Sequence, residues 1–506
     1  MPKNLSFILS AGLIAVMSAP SAGAAEIVNL IPDKPGPTPN YYMTFGAQAM
    51  VAYAKFGAYQ GNRGNDYQEL TEKNLFGPEG WATMKYGKVQ GDVIFLLDEG
   101  WDYPVTNRSP GSLELDPGRF PSFTGTPTER LTKLNDKLKS LGWRGLGLWV
   151  CPTITGEDNW KKKMESFHQA DIKYLKVDWG GSRGDNLIRI AEAAQKHAPN
   201  VVMEFAALLA PFNPGGRAND KCEWFLGFSQ VFRTYDVFGL LQTAPTLDRI
   251  ALLLAPRNPK RNTILNCEFD ISVAAGLACA VGLPQTPGLK DPALNVFGVE
   301  VAPFDEIVRL LRWQRIMPAL GLKDVPAVVD TNILWDSYAF KPNQTWNPGV
   351  NGKTIKQGAP ARISRGLPLA EVTCEGEPPF VLASRHPNGA IAIATTRRTL
   401  ASEKEKIFPL ADVTLKPGKL PKAIGVFGRY RSLTFVFDEP IGQRRLWAQD
   451  LAGERAEDIT GEVVIDGNQL TIKGQLIARV GLASATPGDK SDPGLALVFS
   501  EMNKKL

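Results

Sequence analysis

Between about residues 40 and 320 the chain alternates short runs of aliphatic, aromatic and β-branched residues with longer stretches whose apolar positions recur every three or four residues. A period of two followed by a period near 3.6 is the mark of βαβ units, in which parallel strands are joined by crossover helices. Eight runs read as strands: Tyr41 to Phe45, Val93 to Leu97, Leu146 to Val150, Tyr174 to Asp178, Val201 to Phe205, Gln230 to Thr234, Thr263 to Asn266 and Ala278 to Leu283. From the fourth run onward the starts recur at roughly thirty-residue steps, room for one strand, one helix and two short loops. The clearest helix between them holds Leu131, Leu134, Leu138 and Leu141 at helical spacing. The pattern predicts an α/β protein with a (β/α)8 TIM barrel over residues 25–320.

Residues 321–375 lose this periodicity and are rich in Pro, Gly and Asn, so they read as an irregular connection packed on the barrel. After Pro379 the text turns to short β runs such as FVLASRHPNGAIAIATT and GEVVIDGNQLTIKG. Their HPNG and DGNQ segments, set between apolar runs, are hairpin signals. A C-terminal antiparallel β-sandwich domain over residues 376–506 is expected.

With 43% apolar and 22% charged residues the composition is that of a folded protein, and a formal charge of +5 is spread along the chain. No basic block offers a footing for nucleic acid. Lys3, the apolar stretch Leu5 to Met17 and the small residues Ala22, Gly23 and Ala24 form a secretory signal layout over residues 1–24. That stretch falls short of the roughly 20 residues a membrane span needs, so a secreted or periplasmic protein is expected. Five cysteines, Cys151, Cys222, Cys267, Cys279 and Cys374, leave at least one unpaired, and none forms a close CxxC pair. Only His168, His197 and His386 occur, none in a motif, which argues against zinc hydrolases and Ser-His-Asp triads. No metal and no cofactor are expected, and the chemistry falls to carboxylates.

In YLKVDWGG, Lys176 and Asp178 stand two residues apart at the end of the fourth run, so both project from one strand face. At the carboxyl end of a barrel strand that face is the active-site mouth, and charge there is expensive unless it is used. A second candidate carboxylate, Asp236 in VFRTYDVF, follows Arg233 two barrel units later. Glycoside hydrolysis needs two such acids from different strand ends, one ionised at the anomeric carbon and one protonated at the leaving oxygen.

DVIFLLDEGWD, LDPGRFPSFTG, GLGLWV, YLKVDWGG, VVMEF and VFRTYDV occur in the order found in α-galactosidases, and the chain resembles a divergent relative of glycoside hydrolase families 27 and 36 over about residues 92–270. The resemblance implies a retaining mechanism on an oligosaccharide or polysaccharide, with Asp178 as nucleophile, Asp236 as acid/base and Lys176 donating to ring hydroxyls. It also implies that Asp98 and Glu99 accept from the 4- and 6-hydroxyls and that Glu204 lies near the 2-hydroxyl. Arg233 would hold the same part of the ring or orient Asp236, and Trp101 would offer an aromatic platform to the sugar.

Departures from the family pattern bear on the sugar. Glu99 stands where the relatives carry Asp, and its extra methylene would crowd the C6 group of a hexose, favouring a pentopyranose such as β-L-arabinopyranose. Small Ala206 and Ala207 leave room beside the 2-position, in the direction of an N-acetylgalactosamine unit. The first strand also lacks the Trp common at its end. Two other classes compete: an aldolase using Lys176 as a Schiff base, and a non-catalytic carbohydrate-binding barrel.

Overall fold

A computed structural model describes residues 28–56, 66–83, 86–103, 112–152, 157–178, 184–206, 227–234, 243–254, 261–268, 270–283, 304–325, 331–340, 355–376, 378–396 and 410–501. The signal layout of residues 1–24, and Asp236, Ala207 and Cys222, lie outside the described residues.

The barrel strands are β1 (Asn40–Met43), β2 (Val93–Leu97), β3 (Leu146–Val150), β4 (Tyr174–Val177), β5 (Val202–Phe205), β6 (Val231–Arg233), β7 (Ile264–Asn266) and β8 (Gly282–Leu283). They pair in parallel in the order β7-β6-β5-β4-β3-β2-β1-β8. A bridge between Asn266 and Ala280, with Cys267 N–H donating to the Ala280 carbonyl at 3.0 Å, closes the ring. Described helices of this half are α1 (Phe45–Phe56), α2 (Glu72–Phe76), α3 (Pro127–Ser140), α4 (Glu157–Gln169), α5 (Gly184–His197), α6 (Thr243–Leu254), α7 (Ile271–Leu277) and α8 (Phe304–Ile316). In α3 the start is fixed by a capping box, Thr126 and Glu129 each satisfying the other's backbone N–H, with Pro127 in the first turn. Leu131, Leu134 and Leu138 are its buried stripe.

The last strand is shorter than expected. Ala278 takes a left-handed conformation (φ 52°) and caps α7, its N–H donating to the Ala274 carbonyl, so Ala278 and Cys279 finish a helix and Ala280 meets β7 through a single bridge before the strand begins. Gly282 is obligatory in β8, because a Cβ there would meet the Tyr41 ring at 2.6–2.7 Å. Tyr41 can therefore fill the barrel interior.

The described residues within 321–375 are largely strand rather than irregular. They carry β9 (Thr331–Phe340) and β10 (Ile355–Arg365), an antiparallel pair that joins the C-terminal sheet and lies against α6. Pro360 falls where the β9–β10 register shifts, and β10 pairs with its other neighbour only from Arg362 onward, which is how a proline is accommodated inside a sheet.

The remaining strands are β11 (Glu371–Thr373), β12 (Phe380–Arg385), β13 (Ile391–Thr396), β14 (Asp412–Gly418), β15 (Ile424–Phe427), β16 (Ser432–Phe437), β17 (Arg444–Asp450), β18 (Glu457–Asp458), β19 (Val464–Asp466), β20 (Gln469–Lys473) and β21 (Gly494–Glu501). With β9 and β10 they form two sheets, ordered β18-β17-β21-β15-β13-β12-β10-β9 and β11-β14-β16-β20-β19, around a core that includes Val381, Ile393, Val426, Leu433, Phe435 and Ile472. This is a sandwich, but its pairing is mixed: β10–β12, β13–β15 and β14–β16 run parallel. Alternation and turn signals report each strand and its local hairpin, as at HPNG between β12 and β13 and at DGNQ between β19 and β20. They say nothing about a strand's other neighbour.

The central strands β12, β13 and β15 of the larger sheet are buried on both faces. Leu382 and Ala394 face away from the sandwich core toward α7, where a Cβ on Gly276 would meet their Cβ atoms at 2.7 and 2.9 Å. Helix α8 links the two halves through Arg309, which binds Asp450 at 2.8 and 3.2 Å, and Arg312, which donates to the Leu451 carbonyl, while within the barrel half Arg315 grips Asp92 at 2.7 Å. The start of the described chain is clasped to the sandwich as well. Leu30 N–H donates to the Gln449 side chain at 2.6 Å, Asn29 to Glu454 at 3.1 Å, and Ala456 N–H to the Val28 carbonyl at 2.9 Å.

Candidate active site

Strand β4 sets the axis of the site. Its pleat places Tyr174, Lys176 and Asp178 on one face, and that face is the barrel interior, as the neighbouring Gly147 shows: a Cβ there would touch Ile94, Leu96 and Tyr174. The three side chains rise from the packed core to the mouth. Asp178, just past the strand, keeps 23% of its side-chain surface exposed. Its backbone is fixed by N–H donation to the Val150 carbonyl at 3.0 Å.

The lower layer is a closed hydrogen-bond network. Glu204 of β5 accepts from the Tyr174 hydroxyl at 2.5 Å, from the Tyr41 hydroxyl at 3.3 Å and from the Asn266 amide at 2.8 Å. Glu204 is fully buried, so the position expected near the sugar's 2-hydroxyl is instead a packed, protein-satisfied acceptor. Register explains the depth: Glu204 stands opposite Lys176, two residues short of Asp178. Burial, and then Glu204, holds the pKa of both tyrosines well above the usual phenol range, so they serve as donors.

Above this layer sit the charges. Lys176 Nζ lies 3.2 Å from Asp98 at the end of β2, 3.4 Å from Met43 Sδ and 3.9 Å from Glu268 after β7. Burial alone would lower the Lys176 pKa, but Asp98 and Glu268 reverse this against Arg233, and the amine is held above its ordinary value. Arg233 Nη1 is 3.6 Å from Asp178 and 3.7 Å from Glu268. Burial opposes its charge too, yet Glu268 and Asp178 push its pKa up. Asp98, Lys176, Asp178 and Arg233 thus come together from three strand ends.

The rim residues part from expectation. Trp101 is wholly buried, its indole N–H donating to the Trp149 carbonyl at 2.8 Å, and so it offers no platform to a sugar. The cause is the turn at Gly100 (φ 114°), where a Cβ would strike the Tyr67 carbonyl at 2.5 Å and which sends Trp101 into the wall beside β3. Glu99 stays on the rim, half-buried, its carboxylate accepting from the Tyr103 hydroxyl at 2.7 Å. Gln48 donates to the Glu99 carbonyl at 2.9 Å, which fixes the backbone there. Ala206 is buried, with its N–H bonded to the Val177 carbonyl at 2.8 Å.

Glu268 was not among the residues singled out by the sequence. It lies in NCEFD, two residues past the end of β7, as Asp178 lies one past the end of β4, and the rule of a charge closing an apolar run finds both. Its side chain is 2% exposed, and Tyr41 donates to it at 3.2 Å. Burial raises its pKa against the pull of Arg233 and Lys176.

No protein-family model and no curated protein matches the sequence. Among solved structures the chain is similar to a GH27 β-L-arabinopyranosidase from Geobacillus stearothermophilus, at 9% identity over 92% of this chain and 98% of that one, with a TM-score of 0.38. It is also similar to a putative α-N-acetylgalactosaminidase from Bacillus halodurans (11% identity, 94% and 99% covered, TM-score 0.41). A noncanonic maltogenic α-amylase from Thermotoga neapolitana gives 10% identity, 91% and 98% covered, and a TM-score of 0.36. The barrel's own strand pairing carries the fold assignment.

Proposed function

We propose that this protein is a retaining glycoside hydrolase acting on α-D-galactosyl-type linkages, with Asp178 as nucleophile and Asp236 as acid/base. The observation that carries the reading is the single strand face Tyr174-Lys176-Asp178, which delivers one partly exposed carboxylate to the mouth of a buried charged floor. Asp178 would attack the anomeric carbon while Asp236 protonates the departing oxygen, and the same Asp236 would then deprotonate the water that releases the sugar. Lys176 and Asp98, already paired at 3.2 Å, would offer a donor and an acceptor to ring hydroxyls.

Schiff-base chemistry fits Lys176 poorly, because such an amine needs a lowered pKa and this one is raised by two carboxylates. A pentopyranoside substrate is favoured by one specific contact. Tyr103 donates to Glu99 at 2.7 Å, which holds its carboxylate on the rim, and on this reading the pair would stand where a hexose places C6. Export follows as part of the proposal from the signal layout, since a polymeric or oligomeric sugar is met outside the cell. No described helix is long and apolar enough to cross a membrane.

Turnover of nitrophenyl α-D-galactopyranoside, its N-acetylgalactosamine counterpart and the β-L-arabinopyranoside, with proton NMR of the first-formed anomer, tests the reading. Retention on any of the three supports it. Inversion overturns the assignment of Asp178 as nucleophile, and inertness on all three favours the sugar-binding barrel.

A further inference from the structure

Glu268 is a carboxylate of the floor that faces both buried cations and that the proposed mechanism leaves without a task. It is held in the left-handed region (φ 30°), a conformation a side-chain-bearing residue adopts only where its surroundings demand it. Its N–H donates to Asn266 Oδ1 at 2.9 Å and its carbonyl accepts from Asp270 N–H at 2.8 Å, which locks the turn. The turn delivers the side chain back into the barrel, where it stands 3.7 Å from Arg233, 3.9 Å from Lys176 and 3.2 Å from the Tyr41 hydroxyl. Arg233 Nη1 therefore lies between two carboxylates at nearly equal range, Asp178 at 3.6 Å and Glu268 at 3.7 Å.

We propose that Glu268 is a positioning residue for the glycosyl-transfer step, dividing the Arg233 charge so that Asp178 is oriented by the guanidinium without being neutralised by it. This rests on Asp178 acting as the nucleophile. A carboxylate in a full bidentate pair is a weak nucleophile, because the electron density it must donate is already engaged. With Glu268 as a competitor, the Arg233–Asp178 contact stays longer than a hydrogen bond. The groups facing Glu268 are Tyr41 from β1, Tyr174, Lys176 and Asp178 from β4, Glu204 from β5 and Arg233 from β6, and of these only Lys176 and Arg233 are cationic. Taking away its negative charge therefore leaves Arg233 to Asp178 and removes a repulsion on Asp178, and both changes lower the Asp178 pKa.

The test is Glu268→Gln, which keeps size and can still accept from Tyr41 but carries no charge. In the full-length protein, kcat on an activated aryl glycoside should fall at least about 10-fold with KM within about threefold, and the acid limb of kcat/KM should move to lower pH by about half a unit or more. Labelling of Asp178 by a water-soluble carbodiimide, mapped by mass spectrometry across pH, reads the same pKa without needing turnover, and its midpoint should shift the same way. An unmoved midpoint in a folded variant overturns the proposal, as does a raised KM with kcat intact. A wild type inert on all three glycosides would instead sink the hydrolase reading, while the labelling would still decide whether Glu268 controls Asp178. Should Glu268→Gln fail to fold, Glu268→Asp keeps the charge but draws it back from Arg233, and a smaller shift of the same sign is expected.

Discussion

Among the described residues, buried arginines meet carboxylates along α8 and at the barrel mouth, and the two meetings are built differently. Along α8, Arg309 binds Asp450 through two short bonds at 2.8 and 3.2 Å, and Arg315 does the same to Asp92. At the barrel mouth, Arg233 stands 3.6 Å from Asp178 and 3.7 Å from Glu268, and Lys176 is shared between Asp98 and Glu268. Charges taken out of water must be repaid by close partners, and the α8 pairs meet that demand with oriented bonds. At the mouth the described residues gather Asp98, Asp178 and Glu268 around the two cations Lys176 and Arg233, each cation shared between carboxylates. Along α8 each carboxylate is gripped by one arginine through short oriented bonds, whereas at the mouth each cation is divided between two carboxylates at longer range.

Removing the central carboxylate of the open region should have the largest effect. Asp178→Ala should lower turnover by roughly three orders of magnitude or more, with thermal unfolding nearly unchanged. Asp236→Ala should spare activated aryl glycosides far more than substrates with poor leaving groups, and added azide should partly restore the former. Equal losses on both, with no rescue, would reassign the acid/base.

Arg309→Ala attacks the closed region instead. Leaving Asp450 buried without its partner should cost about 3 to 5 kcal/mol, read by denaturant unfolding, while kcat of the folded fraction holds. A large kinetic effect with little loss of stability would reverse the contrast between the two regions.

Asp270 sharpens the contrast within the barrel. It caps α7 by accepting from Val273 N–H at 3.2 Å, and Thr243 donates to it at 2.8 Å, yet burial pushes its pKa up to about 6 from an ordinary 3.8. A carboxyl whose folded pKa is raised favours the folded state in its neutral form. Its contribution is full below about pH 4 and is lost as pH climbs through about 6. A rise of that size is worth at most roughly 3 kcal/mol. Asp270→Asn should flatten stability between pH 4 and 7, and an unchanged pH slope would show that Asp270 remains ionised throughout.

The smallest effect concerns the rim. Glu99→Asp should move the ratio of kcat/KM for galactoside over arabinopyranoside upward by about 10-fold if Glu99 fills the C6 space, a change of about 1.4 kcal/mol. An unchanged ratio would show that Glu99 does not choose between the two sugars.

Much of the scaffold was legible because its signals are local. Seven of the eight barrel runs lie within a residue or two of the observed strands, and the shared face of Lys176 and Asp178 follows from the pleat alone. Depth was not legible. Whether Glu204 touches a ligand depends on Tyr41, Tyr174 and Asn266, which come from three other strands and meet it only through the barrel's register. Trp101 was lost to one glycine turn, and β9 and β10 were hidden by Pro360 and by the turn-rich text between them. Glu268 follows a strand of only three residues, too short for alternation to register, and only its charge marked it.

The clasp at the start of the described chain has a consequence in time. Asn29 is joined to Glu454 across 425 residues, so this polar clasp cannot close until nearly the whole chain has been made. At roughly 5 to 20 residues per second of synthesis, that interval lasts roughly 20 to 85 s. Throughout it the Leu30 N–H has yet to meet Gln449, and the last domain to emerge is the one that closes the clasp.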